Sequence, residues 1–137
     1  MQVRELIGDD TASVVALWRE AGLTRPWNDA AADFQRAVNG ATSAVLGLEH
    51  DNELIGTVMA GHDGHRGWVY YLAVARAHQR SGVGSELMRA AEDWLRRMGA
   101  VKVQLMVRSD NESALGFYDH IGYETSDVKV LSRWLLA

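Results

Sequence analysis

The chain has 137 residues, which at about 150 residues per domain makes one domain, 1–137, able to bury about two thirds of its unfolded surface. A composition of 47% hydrophobic and 23% charged residues with one proline excludes collagen-like, mucin-like and disordered chains. The absence of cysteine excludes a disulfide scaffold, a thiolate zinc site and a cysteine nucleophile. Fourteen basic against eighteen acidic residues give a net charge of −4, without the basic excess of a nucleic-acid binder. No apolar run approaches the ~20 residues of a membrane helix. The first ten residues contain no signal-peptide core, so the expected location is cytoplasmic.

In chain order, Gln2 to Leu6 reads as a short strand, followed by capping residues Asp9, Asp10 and Thr11. Val14, Leu17, Trp18 and Ala21 form the stripe of an amphipathic helix that Gly22 ends. After Pro26, Asn28 or Asp29 caps a second helix to about Val38, stopped by Asn39-Gly40. The period then changes. Ala44 to Glu49 and Leu54 to Ala60 predict a hairpin across the polar turn 50–53, and Trp68 to Val74 predicts a third strand after the glycine-rich turn 61–67.

Helical spacing returns from Val83 to Met98, with Leu87, Ala91, Trp94 and Met98 as its buried stripe and Glu92–Arg96 and Asp93–Arg97 as surface pairs. Gly99 closes it. Val101, Val103, Leu105 and Val107 alternate as a strand. Ser109-x-x-Glu112 has the form of a capping box opening a helix with Ala114, Phe117, Tyr118 and Ile121 inward. Val128 to Leu135 predicts a last strand, which if unpaired at an edge would make a homodimer. Trp18, Trp94 and Trp134 fit core positions. The order βααβββαβαβ is an α/β reading: one mixed sheet with helices on both faces.

The chemistry is expected at the connection from Trp68–Val74 into the helix at Val83. Gly82 and Gly84 leave bare backbone N–H groups at a helix start, an anion site that Arg76 and Arg80 would reinforce. The same glycines would also serve a merely tight turn. No Gly-Lys-Ser/Thr follows and a third spaced glycine is absent, so neither a Walker loop nor a dinucleotide fingerprint is present.

Gln79-Arg80-Ser81-Gly82-Val83-Gly84 matches the Q/R-x-x-G-x-G/A signature of the GNAT superfamily of N-acetyltransferases. Asn111, Phe117-Tyr118 and Ile121-Gly122-Tyr123 look like that family's second signature region. The chain resembles the superfamily over its whole length. Its Arg25–Asp29 and Asp63–Gly67 segments look like those of the small bacterial YpeA-like acetyltransferases.

The resemblance implies a mainly antiparallel, twisted mixed sheet with a central strand splay. It implies acetyl-CoA as co-substrate, no metal, and a small-molecule or peptide amine as acceptor, with no nucleic acid or membrane partner. The pyrophosphate would lie on the amides of Gln79, Arg80, Ser81, Gly82, Val83 and Gly84 and of Ser85 in the first helical turn. The pantetheine would lie along Leu72, Ala73 and Val74, with the acetyl carbonyl near an amide at Leu72 or Ala73. Asn111 would hold the pantetheine or position its helix, or act only as a helix cap. Tyr118 matches the family's general acid, the alternative being a core tyrosine.

The base is open among His62, Asp63, His65, Tyr70 and Glu49, with transfer through water as a further route. In this fold the Arg25–Asp29 segment would wall the acceptor pocket. Trp27, Asn28, Asp29 and His65 are the acceptor-side candidates, against packed-loop and helix-cap roles. Acids opposed to Arg25 and Arg66 suggest a small zwitterion, such as an amino acid or a peptide terminus, over a polyamine. The five histidines offer no i, i+4 metal pair. A non-catalytic acyl-CoA-binding or sensing module on the same fold is the alternative function, and a plain interaction protein a third.

Overall fold

In the computed structural model, which describes residues 2–136, the chain divides into two units with the boundary between Met106 and Val107. The first unit contains β1 (Gln2–Glu5), α1 (Thr11–Glu20), α2 (Ala30–Asn39), β2 (Ser43–His50), β3 (Glu53–His62), β4 (Gly67–Val74), α3 (Val83–Arg97) and β5 (Val103–Leu105). The strands form one sheet in the order β1-β2-β3-β4-β5. It is antiparallel except for the parallel pair β4–β5, the mixed, mainly antiparallel sheet that was expected.

Local chemistry sets the element ends. The β2–β3 turn places Asp51 and Asn52 at φ 52° and 62°, the left-handed pair that a tight hairpin requires. Asp29 caps α2 by accepting from the Ala32 N–H at 3.1 Å. Asp10 precedes α1 without a side-chain cap; its carboxylate instead accepts from the Ile7 N–H and from Arg4.

Adjacent β3 residues show the two faces of the sheet. A side chain at Gly56 would stand 2.7 Å from Leu87 and 3.0 Å from Val83, so its absence lets α3 lie directly on the strand, as Gly67 does beneath Leu95. Thr57 points the other way and meets Trp18 of α1. On that side Val14, Leu17, Trp18, Phe34, Ala37, Val45 and Ala73 form a buried cluster. Helices thus cover both faces.

Trp18 is fully buried. Its indole N–H donates to the Thr57 hydroxyl at 2.9 Å, and that hydroxyl donates on to the Tyr71 carbonyl at 3.1 Å. Thr57→Val keeps the shape but leaves the indole N–H unpaired. It should destabilise the fold by about 1–3 kcal/mol in a denaturant titration. An unchanged midpoint would show that this hydroxyl is dispensable.

Several expectations are corrected. The buried face of α3 is Val83, Leu87, Met88, Ala91 and Leu95, with Trp94 and Met98 only half-buried at its margin. Asp93 pairs with Arg96, one residue closer than Arg97. β5 is three residues long and Val101 is 85% exposed, because the parallel ladder begins only at Gly67–Val103.

The second unit contains α4 (Glu112–His120). Its cap is the Asn111 side chain, accepting from the Ala114 N–H at 3.1 Å, rather than Ser109. The expected face of Ala114, Phe117, Tyr118 and Ile121 is the less exposed one. The expected strand at Val128–Leu135 is absent: residues 124–136 carry neither helix nor strand, and Trp134 is 65% exposed rather than core. Apolar alternation makes a strand only where a ladder takes up its backbone groups.

Candidate active site

After β4 the chain makes a 3-10 turn at Arg76–His78 and reaches α3 through two left-handed residues, Arg80 at φ 62° and Gly82 at φ 86°. Gln79 ties back to the Val74 carbonyl at 3.3 Å, and the Ser81 hydroxyl donates to the His78 carbonyl. Gly82 is the N-cap and supplies no side-chain bond. The hydrogen bond from the Glu86 N–H to the Gly82 carbonyl opens the helical ladder, so the N–H groups of Val83, Gly84 and Ser85 precede it. A side chain built on Gly82 would meet open space. The arrangement is a cradle of backbone donors at a positive helix end, with Val83 buried as its anchor.

β4 also carries an irregularity. Thr57 pairs with Ala73 and Met59 with Tyr70, so Tyr71 and Leu72 together oppose Val58. This is a β-bulge, with Tyr71 at φ 52°, a rare value for an aromatic residue. Three contacts hold it there. Its ring stacks on Trp18 at 3.8 Å between centroids, its carbonyl accepts from Thr57, and its hydroxyl donates to Asp33 Oδ2 at 2.8 Å. Burial, then the Asp33 bond, pushes the Tyr71 phenol up to about 12. β5 pairs only with Gly67, Trp68 and Val69, so β4 runs beyond its parallel neighbour from Tyr70 onward. This is the expected strand splay.

The segments expected to wall the acceptor pocket have local roles. Asp63 accepts from the N–H groups of His65 and Arg66 and from the Trp68 indole, bonds that hold its carboxyl below the usual range. Such a carboxylate is a weak base and a good turn-former. Asp29 caps α2, and Arg25 donates to the carbonyls of Gly22 and Thr24. Trp27 is 58% exposed, and Asn28 and His65 are exposed. Asn28 and Asp29 line a cleft of about 390 Å³ with Val15, Arg19 and Arg25, and no residue of the 61–67 turn joins them. His62 ends β3, its N–H bonded to the Thr42 carbonyl. Sequence reasoning missed Asp33 and the Tyr71 bulge. The one available signal was Asp33 standing a helical turn after its cap, on the face of Ala37.

In the second unit Tyr118 packs edge-on against Phe117 and Tyr123, with centroids at 5.0 and 5.7 Å. Burial pushes its phenol up to about 12. The Asn111 side chain caps α4. Among the described residues no group of three or more acidic or histidine side chains could hold a metal, and no helix is long and apolar enough to cross a membrane.

The family model of the acetyltransferase (GNAT) family matches residues 11–123, most of the chain. The chain belongs to the GNAT acetyltransferase family. Solved GNAT structures share its fold at low identity. The aminoglycoside acetyltransferase AAC(6')-Iy, in complex with a bisubstrate analogue of CoA, superposes with a TM-score of 0.85 at 14% identity, covering 98% of each chain. AAC(6')-IG from Acinetobacter haemolyticus gives 0.79 at 20% identity, covering 98% of this chain and 99% of its own. The ribosomal-protein-alanine N-acetyltransferase from Brucella melitensis biovar Abortus 2308 gives 0.78 at 17%, over 98% and 100%.

Proposed function

We propose that this GNAT chain is an acetyl-CoA-dependent N-acetyltransferase that acts by direct attack of an acceptor amine in a ternary complex, and that it is of the YpeA-like kind. The observation that carries the reading is the cradle at Gln79–Gly84, where uncapped N–H groups of Val83, Gly84 and Ser85 stand at the α3 N-terminus and Gly82 leaves room for a phosphate. Gln79, Arg80 and Ser81 complete the pyrophosphate site. The pantetheine lies along Leu72, Ala73 and Val74, where β4 runs past β5, and the bulge at Tyr71–Leu72 supplies the amide for the thioester carbonyl. Asn111 caps the helix that carries Tyr118.

The neutral amine attacks the carbonyl carbon and the C–S bond breaks. The amine nitrogen gives up its proton to water, and the thiolate takes one from Tyr118, whose phenolate regains a proton from water. We assign no role as base to Asp63, because three donors hold its carboxylate and make it a weak base, and His62 at the end of β3 is the side-chain alternative to water. Acetyl-CoA turnover, read by thiol release against a panel of antibiotics, polyamines, amino acids and peptides, tests the reading. Calorimetry showing no acetyl-CoA binding would overturn it, and binding without any turnover would favour an acyl-CoA sensor.

The pH dependence follows from the Tyr118 environment. A phenol raised to about 12 stays protonated while an acceptor amine of pKa near about 10 loses its proton. Turnover should therefore rise with pH and show no descending limb up to about pH 10. A descending limb centred near the ordinary tyrosine value would contradict the assignment.

A further inference from the structure

A cleft of about 380 Å³ lies between α2 and the sheet, lined by Asp33, Arg36, Met59, Tyr70 and Tyr71 among others. We propose that this cleft holds the non-reacting, cationic end of a diamine-type acceptor, with Asp33 as the carboxylate that selects it and Arg36 as an internal occupant the acceptor displaces. The proposal rests on the acetyltransferase reading above and names its substrate class.

The Asp33 carboxylate is the inner charge of the cleft: its side chain is 23% exposed against 71% for Arg36. The Tyr71 hydroxyl binds Asp33 Oδ2 at 2.8 Å and orients it. The other oxygen, Oδ1, meets the Arg36 guanidinium one turn along α2. An exposed pair of this kind contributes little and gives way easily to a better-placed cation. Met59 offers an apolar wall for methylenes, and Tyr70 and Tyr71 line the same cleft.

Position supplies the second half of the argument. Tyr70 and Tyr71 lead directly into Leu72 and Ala73, where the thioester is placed. An amine must be neutral to attack, so a site that selects for charge acts on a second nitrogen of the same molecule. The other charges expected to recognise the acceptor are engaged locally: Asp29 in its cap, Asp63 in its turn and Arg25 on nearby carbonyls. Asp33 is held across 38 residues, by a group in the bulge itself.

The test compares diaminobutane with aminobutanol, which differ in the second charge alone. The parent should favour diaminobutane by about tenfold in kcat/KM, and Asp33→Asn, which can still accept the Tyr71 hydroxyl, should bring the ratio close to one. Arg36→Gln should lower the KM for diaminobutane by removing its competitor. Equal use of the two amines by the parent, or a preference that survives Asp33→Asn, overturns the proposal. So does a preference for amino acids that Arg36→Gln abolishes. Calorimetric titrations of acetyl-CoA and of diaminobutane separate the two readings. Acetyl-CoA binding without Asp33-dependent diaminobutane binding removes the cleft proposal alone. Diaminobutane binding without acetyl-CoA binding removes the acetyltransferase reading.

Discussion

Replacing Tyr118 by phenylalanine is expected to lower turnover by about 10²-fold or more, while acetyl-CoA affinity and thermal midpoint stay close to the parent's. The substitution keeps the ring contacts with Phe117 and Tyr123 and removes one oxygen. That oxygen belongs to a phenol which burial holds protonated far above neutral pH. A protonated phenol can give its hydrogen to a departing thiolate, and without it CoA must leave as the anion. The loss should appear in kcat, with the KM for the acceptor little changed, as for a group that acts only in the transition state. Steady-state kinetics with the best acceptor, beside calorimetry of acetyl-CoA, measures both. Full turnover by the variant would take Tyr118 out of the mechanism.

The second large effect is on acetyl-CoA binding. Gly82→Val should reduce it to below detection, because the branched side chain fills the space above the N–H groups of Val83, Gly84 and Ser85. The structure adds a cost that the motif does not reveal. Gly82 has φ 86°, and a β-branched residue there pays about 1–2 kcal/mol or more for the left-handed backbone. Gly82→Asn separates the two effects, since asparagine tolerates this conformation yet still carries a side chain into the cradle. Both variants should lose acetyl-CoA by calorimetry, and Gly82→Asn should keep the parent's thermal midpoint more closely. If the asparagine variant binds acetyl-CoA as tightly as the parent, the phosphates do not lie over Gly82.

The amino-acid sequence by itself determined those features whose causes lie within a few residues. The stripe Val14, Leu17, Trp18 selects one face of α1, Asp29 caps the helix that begins after it, and Asp51-Asn52 turns the hairpin. The loop into α3 was legible for the same reason: a helix start without a capping side chain is a local property of Gly82 and its neighbours. The alternation at 128–135 was read by the same logic and failed. A strand depends on a partner that its own residues do not supply, whereas a helix satisfies itself.

The tertiary structure alone decided what the charges around Trp27 and Asp63 do. Acidic and basic residues around Trp27 and Asp63 looked available, but an aspartate two or three residues before a turn N–H bonds that N–H first, and the chain used up those charges at once. Apart from the place of Asp33 one helical turn after its cap, nothing local marks Asp33 or Tyr71. Their bond spans 38 positions and exists because the extra residue opposite Val58 turns Tyr71 into the left-handed region, against Trp18 and toward α2. Register, bulge and helix packing had to be set together before that carboxylate and that hydroxyl met, and no short-range pattern encodes such a meeting.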